Sequence, residues 1–354
     1  MAATRNFVAG LTDASGRREP ADDPVSIAQA LAQRGLFDEA IDYATAENIR
    51  ARNANLERNL VLWRHQAFAG VDLSRRRSQW PPQFTDPFAR NESLPELTAA
   101  QLDLEHLGGG ITHHGALIVR GLFSSQEASY FAAGIDTAMA ARVASAQGDS
   151  TDESWHMRFP LPDHSSLAMT RPWLQSVGGL LLADSPRMLF DLLESFKRKR
   201  IDRLVGNYLG ERPALSVGKS TLRRVPVTAG IEWHQDGAFL GNQTRTVNLW
   251  IALTECGVDA PGLDMIARRL PGIVQTGTHG ALYDWSVGDE MAIQAAQGRP
   301  IVSPHFQAGD AVFFDQLLLH RTGIRPAMAQ QRWAIETWFF APSTYPMEQG
   351  PLVV

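Results

Sequence analysis

The sequence predicts an α+β protein in which helices come first and an antiparallel β-sandwich or jelly roll follows. Three observations predict it. Before residue 70 the apolar residues recur at helical spacing. Beyond residue 200 nearly every apolar run is short: LVGNYL, IEWHQD, TVNLWIAL, AVFFD, LLLH and WAIETWFF. Glycine, proline or charged turns separate these runs, as they separate strands in a sandwich.

Residues 1–22 are polar and rich in Gly, Asp and Arg, and read as a loose arm. A helix opens at Asp23-Pro24, with Asp as the cap and Pro in the first turn. Ile27, Ala30 and Leu31 form its stripe, and Gly35 ends it. A second helix carries Phe37, Ala40, Ile41 and Ala44, and a third Leu56, Leu60, Trp63 and Ala67. The stretch ALAQRGLFDEAIDYAT resembles half of a tetratricopeptide unit, but no second copy follows. These helices are expected to pack on the main domain as an extension; a protein-docking surface is the alternative. Pro81, Pro82, Pro87 and Pro95 fall within residues 74–96 and mark a linker. The expected division is therefore 1–96, an arm, helical extension and Pro-rich linker, and 97–354, the main domain. Within the latter, GALIVRGLF (115–123) reads as a strand. Ser124 and Glu127 form a capping box, and Ser185-Pro186 starts another helix.

The bulk numbers exclude several classes. Charged residues make up 20% of the 354 and the net charge is −5, so no basic surplus favours nucleic acid or an anionic membrane. The Arg75-Arg76-Arg77 cluster reads as a solvated turn. The one cysteine, Cys256, cannot form an internal disulfide and reads as packing. No apolar block resembles a leader, and VGGLLLA (177–183) is too short to span a bilayer. The cytoplasm is the expected location. No nucleophile elbow or dinucleotide fingerprint is present, and GKST (218–221) lacks the earlier glycine of a phosphate loop.

The sharpest local feature is Trp233-His234-Gln235-Asp236-Gly237. On a strand His234 and Asp236 would share a face, and Gln235 would point away. His320 follows 86 residues on, before a turn, and Arg332 opens the next run 12 residues later. Two imidazoles and one carboxylate make a facial triad, which holds Fe(II) and leaves three positions open.

With these residues in order, the segment from about 216 to 340 resembles the phytanoyl-CoA dioxygenase family of Fe(II)/2-oxoglutarate oxygenases. The matching features are His234-Gln235-Asp236, Trp250 in NLWIAL, Gly262 in DAPGLD, His320 and Arg332. The resemblance implies a double-stranded β-helix, a cupin-like jelly roll, with iron held by His234, Asp236 and His320. It implies 2-oxoglutarate as co-substrate, its far carboxylate on Arg332, and O₂ as oxidant, with release of succinate and CO₂. Thr221 is the expected polar contact to the co-substrate on the VGKSTLRRV segment, where Lys219, Thr221 and Arg223 share a face. Trp250 is expected to wall the same pocket. An acid at 236, where halogenating relatives carry a small residue, points to hydroxylation of a small or carrier-linked metabolite. Desaturation and ring formation stay open.

Arg332 has two rivals, Arg321 and Arg325. The former should point away from His320, and the latter sits in a turn before Pro326. Ala334 stands where many relatives have a small polar residue. His113 and His114 read as surface residues, and His156 with Arg158 as a candidate substrate entrance. Two other functions compete: a non-catalytic jelly-roll protein that binds a metal or metabolite and docks a partner through its N-terminal helices, and a Zn- or Mn-dependent cupin-type isomerase or hydrolase.

Overall fold

The computed structural model describes residues 23–74, 79–161, 170–241 and 243–354. The expected arm at 1–22 and the Arg75–Arg77 cluster lie outside them.

Three helices lead: α1 (Pro24–Gln33), α2 (Phe37–Arg50) and α3 (Ala54–Ala67). Pro24 occupies the first turn of α1, but Asp23 makes no side-chain cap bond. The buried stripe of α1 is Val25, Ala28 and Ala32, not Ile27, Ala30 and Leu31. Small residues face in because α2 packs closely, through Ala40, Ile41 and Ala44. Asn53 caps α3, accepting from the amides of Asn55 and Leu56. The side chain of Glu57 on α3 is fully buried, and accepts from Arg52 and Arg187 and from Asn48. Breaking such a buried network strands a charge, so it fixes these helices to the body of the protein. The Pro-rich stretch also packs: Trp80 and Phe84 both lie against Tyr208.

The remaining helices are α4 (Leu104–Gly109), α5 (Ser125–Gln147), α6 (Arg171–Ser176), α7 (Pro186–Lys199), α8 (Ile201–Leu209), α9 (Gly237–Leu240) and α10 (Asp289–Ala296). The Ser124/Glu127 capping box is present at α5. LVGNYL is not a strand but most of α8. Arg200 takes a left-handed conformation that breaks α7, and the helix restarts with Ile201, Val205, Tyr208 and Leu209 on its buried face. His114 is buried against Asp86, because residues 79–88 cover it; His113 is exposed.

The strands are β1 (Glu96–Thr98), β2 (Ala116–Arg120), β3 (Gly179–Leu181), β4 (Ala214–Ser216), β5 (Thr221–Val225), β6 (Thr246–Ala252), β7 (Gly262–Ile266), β8 (Ile301–Val302), β9 (Ala311–Phe314), β10 (His320–Gly323), β11 (Arg332–Phe340) and β12 (Pro351–Val353). Among the described residues they form two sheets. The larger runs β1-β2-β9-β6-β11-β4-β12, with β5 also on β11 and β3 on β5. The smaller runs β10-β7-β8, and bridges at His234↔His320 and Trp233↔Val287 extend it.

Period-two alternation divides the larger sheet's side chains between two cores. Leu249, Ile251, Phe313, Ile335 and Phe339 face helices α5, α7 and α8. Trp250, Ala252, Phe314, Ala334 and Trp338 face the smaller sheet, where Leu263 and Met265 meet them. This is the double-stranded β-helix, with helices on its outer face. The cavity opens between the two sheets.

Candidate active site

Strand register brings the two histidines together. His234 and His320 are direct cross-strand partners, exchanging backbone hydrogen bonds of 2.9 and 3.1 Å. Their rings lie 4.3 Å apart between centroids. Each Nδ1–H donates to a main-chain carbonyl two residues earlier, His234 to Glu232 (2.8 Å) and His320 to Leu318 (3.1 Å). A carbonyl only accepts, so these bonds fix the tautomer and leave each Nε2 lone pair facing the site.

Asp236 arrives differently from the expectation. IEWHQD is not a regular strand: His234 is extended, but Asp236 has φ −62° and ψ −23° and begins α9. Its Oδ2 still lies 3.8 Å from Nε2 of His320. One ligand atom from each of His234, Asp236 and His320 falls within 4.8 Å of the others. Metal–ligand bonds of about 2.0–2.2 Å place neighbouring donors roughly 3 Å apart, so small side-chain rotations suffice to close on one cation. Two imidazoles and a carboxylate are the donor set that Fe(II) accepts. Burial, reinforced by the neighbouring His320, pushes the His234 imidazole down to about 3, so it is neutral at ordinary pH. Burial alone would raise Asp236, but the Lys219 ammonium and the two imidazoles hold it below the usual carboxylate range.

Gln235 points away from this face, as alternation requires. Its Nε2 donates to the carbonyls of Leu317 (2.6 Å) and Gly272 (3.1 Å), and its Oε1 accepts from the Val274 amide (2.7 Å). It thereby ties the His234/Asp236 segment to the turn that precedes His320.

The site lies in a cavity of about 310 Å³. Arg332 lines it and is 1% exposed. One terminal nitrogen donates to the carbonyls of Pro261 (3.2 Å) and Gly262 (2.8 Å), while Nε has no partner. Gly262 has no side chain because a Cβ there would meet Gly257 Cα at 2.7 Å. The guanidinium sits 5.3 Å from the Trp250 ring. Burial lowers Arg332 to about 10, which leaves it charged at neutral pH. Among the described residues no carboxylate forms an ion pair with it. A buried guanidinium in this state is matched by an anionic ligand with paired oxygens, and the far carboxylate of 2-oxoglutarate has that chemistry. The rival arginines are spoken for: Arg321 and Arg325 both grip Asp264, outside the cavity.

Thr221 does not line the cavity. It is fully buried and its hydroxyl donates to Glu336 (3.0 Å), its register partner on β11. The same segment brings Lys219 and Arg223 to the cavity instead. Lys219 pairs with Oδ1 of Asp236 and lies 5.2 Å from the Phe239 ring. A lysine sharing a face with Arg223 on a run next to the cofactor strand is the sequence signal for this pair. Trp173, Phe239 and Trp285 complete an aromatic rim that sequence spacing did not disclose. His156 and Arg158 line a separate pocket on the other side of α6, and are not part of this cavity.

The family model described as phytanoyl-CoA dioxygenase (PhyH) matches residues 111–324. The chain belongs to this family. It is accordingly a non-haem oxygenase that uses Fe(II) and 2-oxoglutarate. The family match spans His234, Asp236 and His320 and stops short of Arg332. No curated protein matches the chain. Solved structures similar to it include the non-haem α-ketoglutarate-dependent carbocyclase SnoK from nogalamycin biosynthesis, at 16% identity and a TM-score of 0.45, covering 70% of this chain and 87% of that one. EctD from S. alaskensis, solved with 2-oxoglutarate and 5-hydroxyectoine, gives 16% and 0.48, covering 75% and 80%. EvdO2 from Micromonospora carbonacea var. aurantiaca, complexed with 2-oxoglutarate, gives 18% and 0.44, covering 71% and 91%. Among the described residues no helix is long and apolar enough to cross a membrane.

Proposed function

We propose that this oxygenase hydroxylates an unactivated C–H bond of a small organic substrate, with iron on His234, Asp236 and His320 and the far carboxylate of 2-oxoglutarate on Arg332. The observation that carries the reading is the convergence of three metal-binding side chains and the buried guanidinium of Arg332, which has no ion-pair partner among the described residues, on a single cavity. When bound, iron and 2-oxoglutarate supply the O₂-dependent oxidation, with succinate and CO₂ as co-products.

The chain's own residues do the rest. The carbonyls of Glu232 and Leu318 hold both imidazoles in the ligating tautomer. Lys219 occupies Oδ1 of Asp236, which leaves Oδ2 on the side of His320 and favours one-oxygen ligation. The Trp250 ring lies under the Arg332 guanidinium, its centroid 5.3 Å away, and covers it with an aromatic face. Thr221 orients Glu336, which lines the cavity beside these cations. Trp285 closes the rim, edge-on to His234 with ring centroids 5.9 Å apart. The carboxylate at 236 supports hydroxylation, since it fills the position that an exchangeable ligand would need. Membership of this family favours these roles over a non-catalytic binding module or a Zn- or Mn-dependent isomerase.

The test is succinate release from 2-oxoglutarate with Fe(II) and ascorbate, which proceeds slowly without the substrate. Release that vanishes in His320→Ala and in Arg332→Gln is the expected result. Incubation with a metabolite extract under isotopically labelled O₂ should then yield a product carrying one labelled oxygen. A product that has lost two hydrogens and gained no oxygen would replace hydroxylation by desaturation or ring closure.

A further inference from the structure

We infer that Arg223 is the receptor for an oxyanion on the primary substrate, so that the enzyme acts on a compact organic acid or phosphate; the inference rests on the assignment of Arg332 to the co-substrate. Arg223 is 1% exposed and lines the cavity. Among the described residues it forms no ion pair. Its guanidinium makes one long hydrogen bond, 3.5 Å to the Val177 carbonyl, and its Nε has no partner. A buried guanidinium left this way carries a desolvation cost that an arriving oxyanion removes.

The other cations of the cavity are already taken. Lys219 is paired with Asp236. Arg332 has two carbonyls and, in the reading above, the co-substrate. On the β5–β11 ladder Arg332 stands opposite Val225, and Ala334 opposite Arg223. The two guanidiniums are therefore diagonal neighbours on one sheet face. The small side chain of Ala334 gives Arg223 its room there. Arg223 opposes the charge on Arg332, so each is an unfavourable neighbour until anions arrive. The charge balance agrees. Lys219, Arg223 and Arg332 face Asp236 and Glu336 in the cavity wall. A bound dication and the co-substrate dianion cancel, and one positive charge is left over for the substrate.

The rim indicates the rest of the molecule. Val177 caps α6, whose Trp173 lines the cavity, so Arg223 lies on the Trp173 side. Trp285 tilts against Phe239 at 5.4 Å and stacks on Tyr283 at 5.0 Å. These rings give the cavity mouth an apolar, aromatic lining for the carbon body of the substrate. About 310 Å³ shared with the co-substrate sits at the small end of ligand sites and sets a compact substrate.

The experiment uses the full chain loaded with Mn(II) and saturating 2-oxoglutarate. Binding of phenylacetate and of its neutral counterpart phenylacetamide is followed by the paramagnetic broadening of their proton resonances. The unmodified protein should bind the acid at least tenfold more tightly than the amide. Arg223→Gln should abolish that preference, Arg223→Lys should keep part of it, and both should bind 2-oxoglutarate within about threefold of the unmodified protein. Arg332→Gln should instead lose 2-oxoglutarate at least tenfold. Equal binding of acid and amide by the unmodified protein, or binding of neither, overturns the inference without any variant. A fall in 2-oxoglutarate affinity as large in Arg223→Gln as in Arg332→Gln also overturns it, by assigning Arg223 to the co-substrate. Normal 2-oxoglutarate binding in Arg332→Gln removes the underlying assignment, a different failure with a different signature.

Discussion

Gln235 sits between two proposed ligands without being one, and its removal should damage both fold and metal site. Its amide is 1% exposed and makes three hydrogen bonds, two to carbonyls and one from an amide. Gln235→Ala leaves the Leu317 and Gly272 carbonyls and the Val274 amide buried without that partner. At about 1 kcal/mol for each bond the loss is about 3 kcal/mol. A chain of this length shifts by roughly 2 °C per kcal/mol, so Tm should fall by about 6 °C. The second effect is on the metal. Leu317 lies in the turn that leads into His320, so the amide sets the register of one ligand strand against the other pair. Outer-sphere partners of this kind change metal affinity by about 10- to 100-fold. Differential scanning calorimetry of the metal-free protein and a Mn(II) titration read the two effects separately. A variant with unchanged Tm and unchanged Mn(II) affinity would refute the argument that this amide clamps the site. A lowered Tm with intact Mn(II) affinity would refute only the link to His320.

His320→Ala and Asp236→Ala should each lower Mn(II) affinity by at least 100-fold in the same titration, because each removes one of three donors. Asp264 is 1% exposed and held by Arg325, Ser303 and Arg321, which outweigh the burial that would raise it and set it below the usual carboxylate range. Its contribution to stability is thus fully present above about pH 4 and lost as pH falls through the lowered folded value. The Tm gap between the unmodified protein and Asp264→Asn should be constant from about pH 8 to pH 5 and shrink below about pH 4; a gap that widens there would contradict the sign. Burial pushes the Cys256 thiol up to about 12, so iodoacetamide should label it at pH 8 only after denaturation.

The site was legible where chemistry and order along the chain were enough. His234, Asp236, His320 and Arg332 are metal-binding and anion-binding residue types in a fixed order, and each stands on or beside a short apolar run. Strand alternation accounts for only part of the way His234 and Asp236 come to share a face. Alternation holds for Gln235, yet Asp236 reaches the site through a turn into α9. Lys219 and Arg223 were visible as a shared face but not as a site. Lys219 matters for its pairing with Asp236, and Arg223 for what is missing around it, since an absent counterion leaves no trace in a sequence. LVGNYL failed for a local reason: six residues of apolar pattern fit either period, and the left-handed Arg200 that restarts the helix cannot be read from residue types.

Arg321 on β10 and Arg325 in the turn after it show how one alternation serves two purposes. His320 points into the cavity, and Arg321, one residue on, points out. Outside, Arg321 bonds Asp264 at 2.9 Å and lies 4.7 Å from the Trp233 ring, while Arg325 takes the other oxygen of Asp264 at 2.7 Å. Asp264 is the register partner of Arg321 across β7 and β10, so this cluster locks the strand that carries His320. Trp233, under Arg321, is the residue before His234. Both histidines are thus held from behind by one outward-facing cation. Ligands held in this way need little reorganisation on binding, whereas ligands on loops would have to be ordered first. Arg321→Ala should therefore weaken Mn(II) binding although it touches no ligand, and Arg321→Lys should restore only part of it, since an ammonium cannot bond Asp264 and stack on Trp233 as a planar guanidinium does. An Arg321→Ala protein with unaltered Mn(II) affinity would show instead that the β10–β7 ladder alone fixes His320.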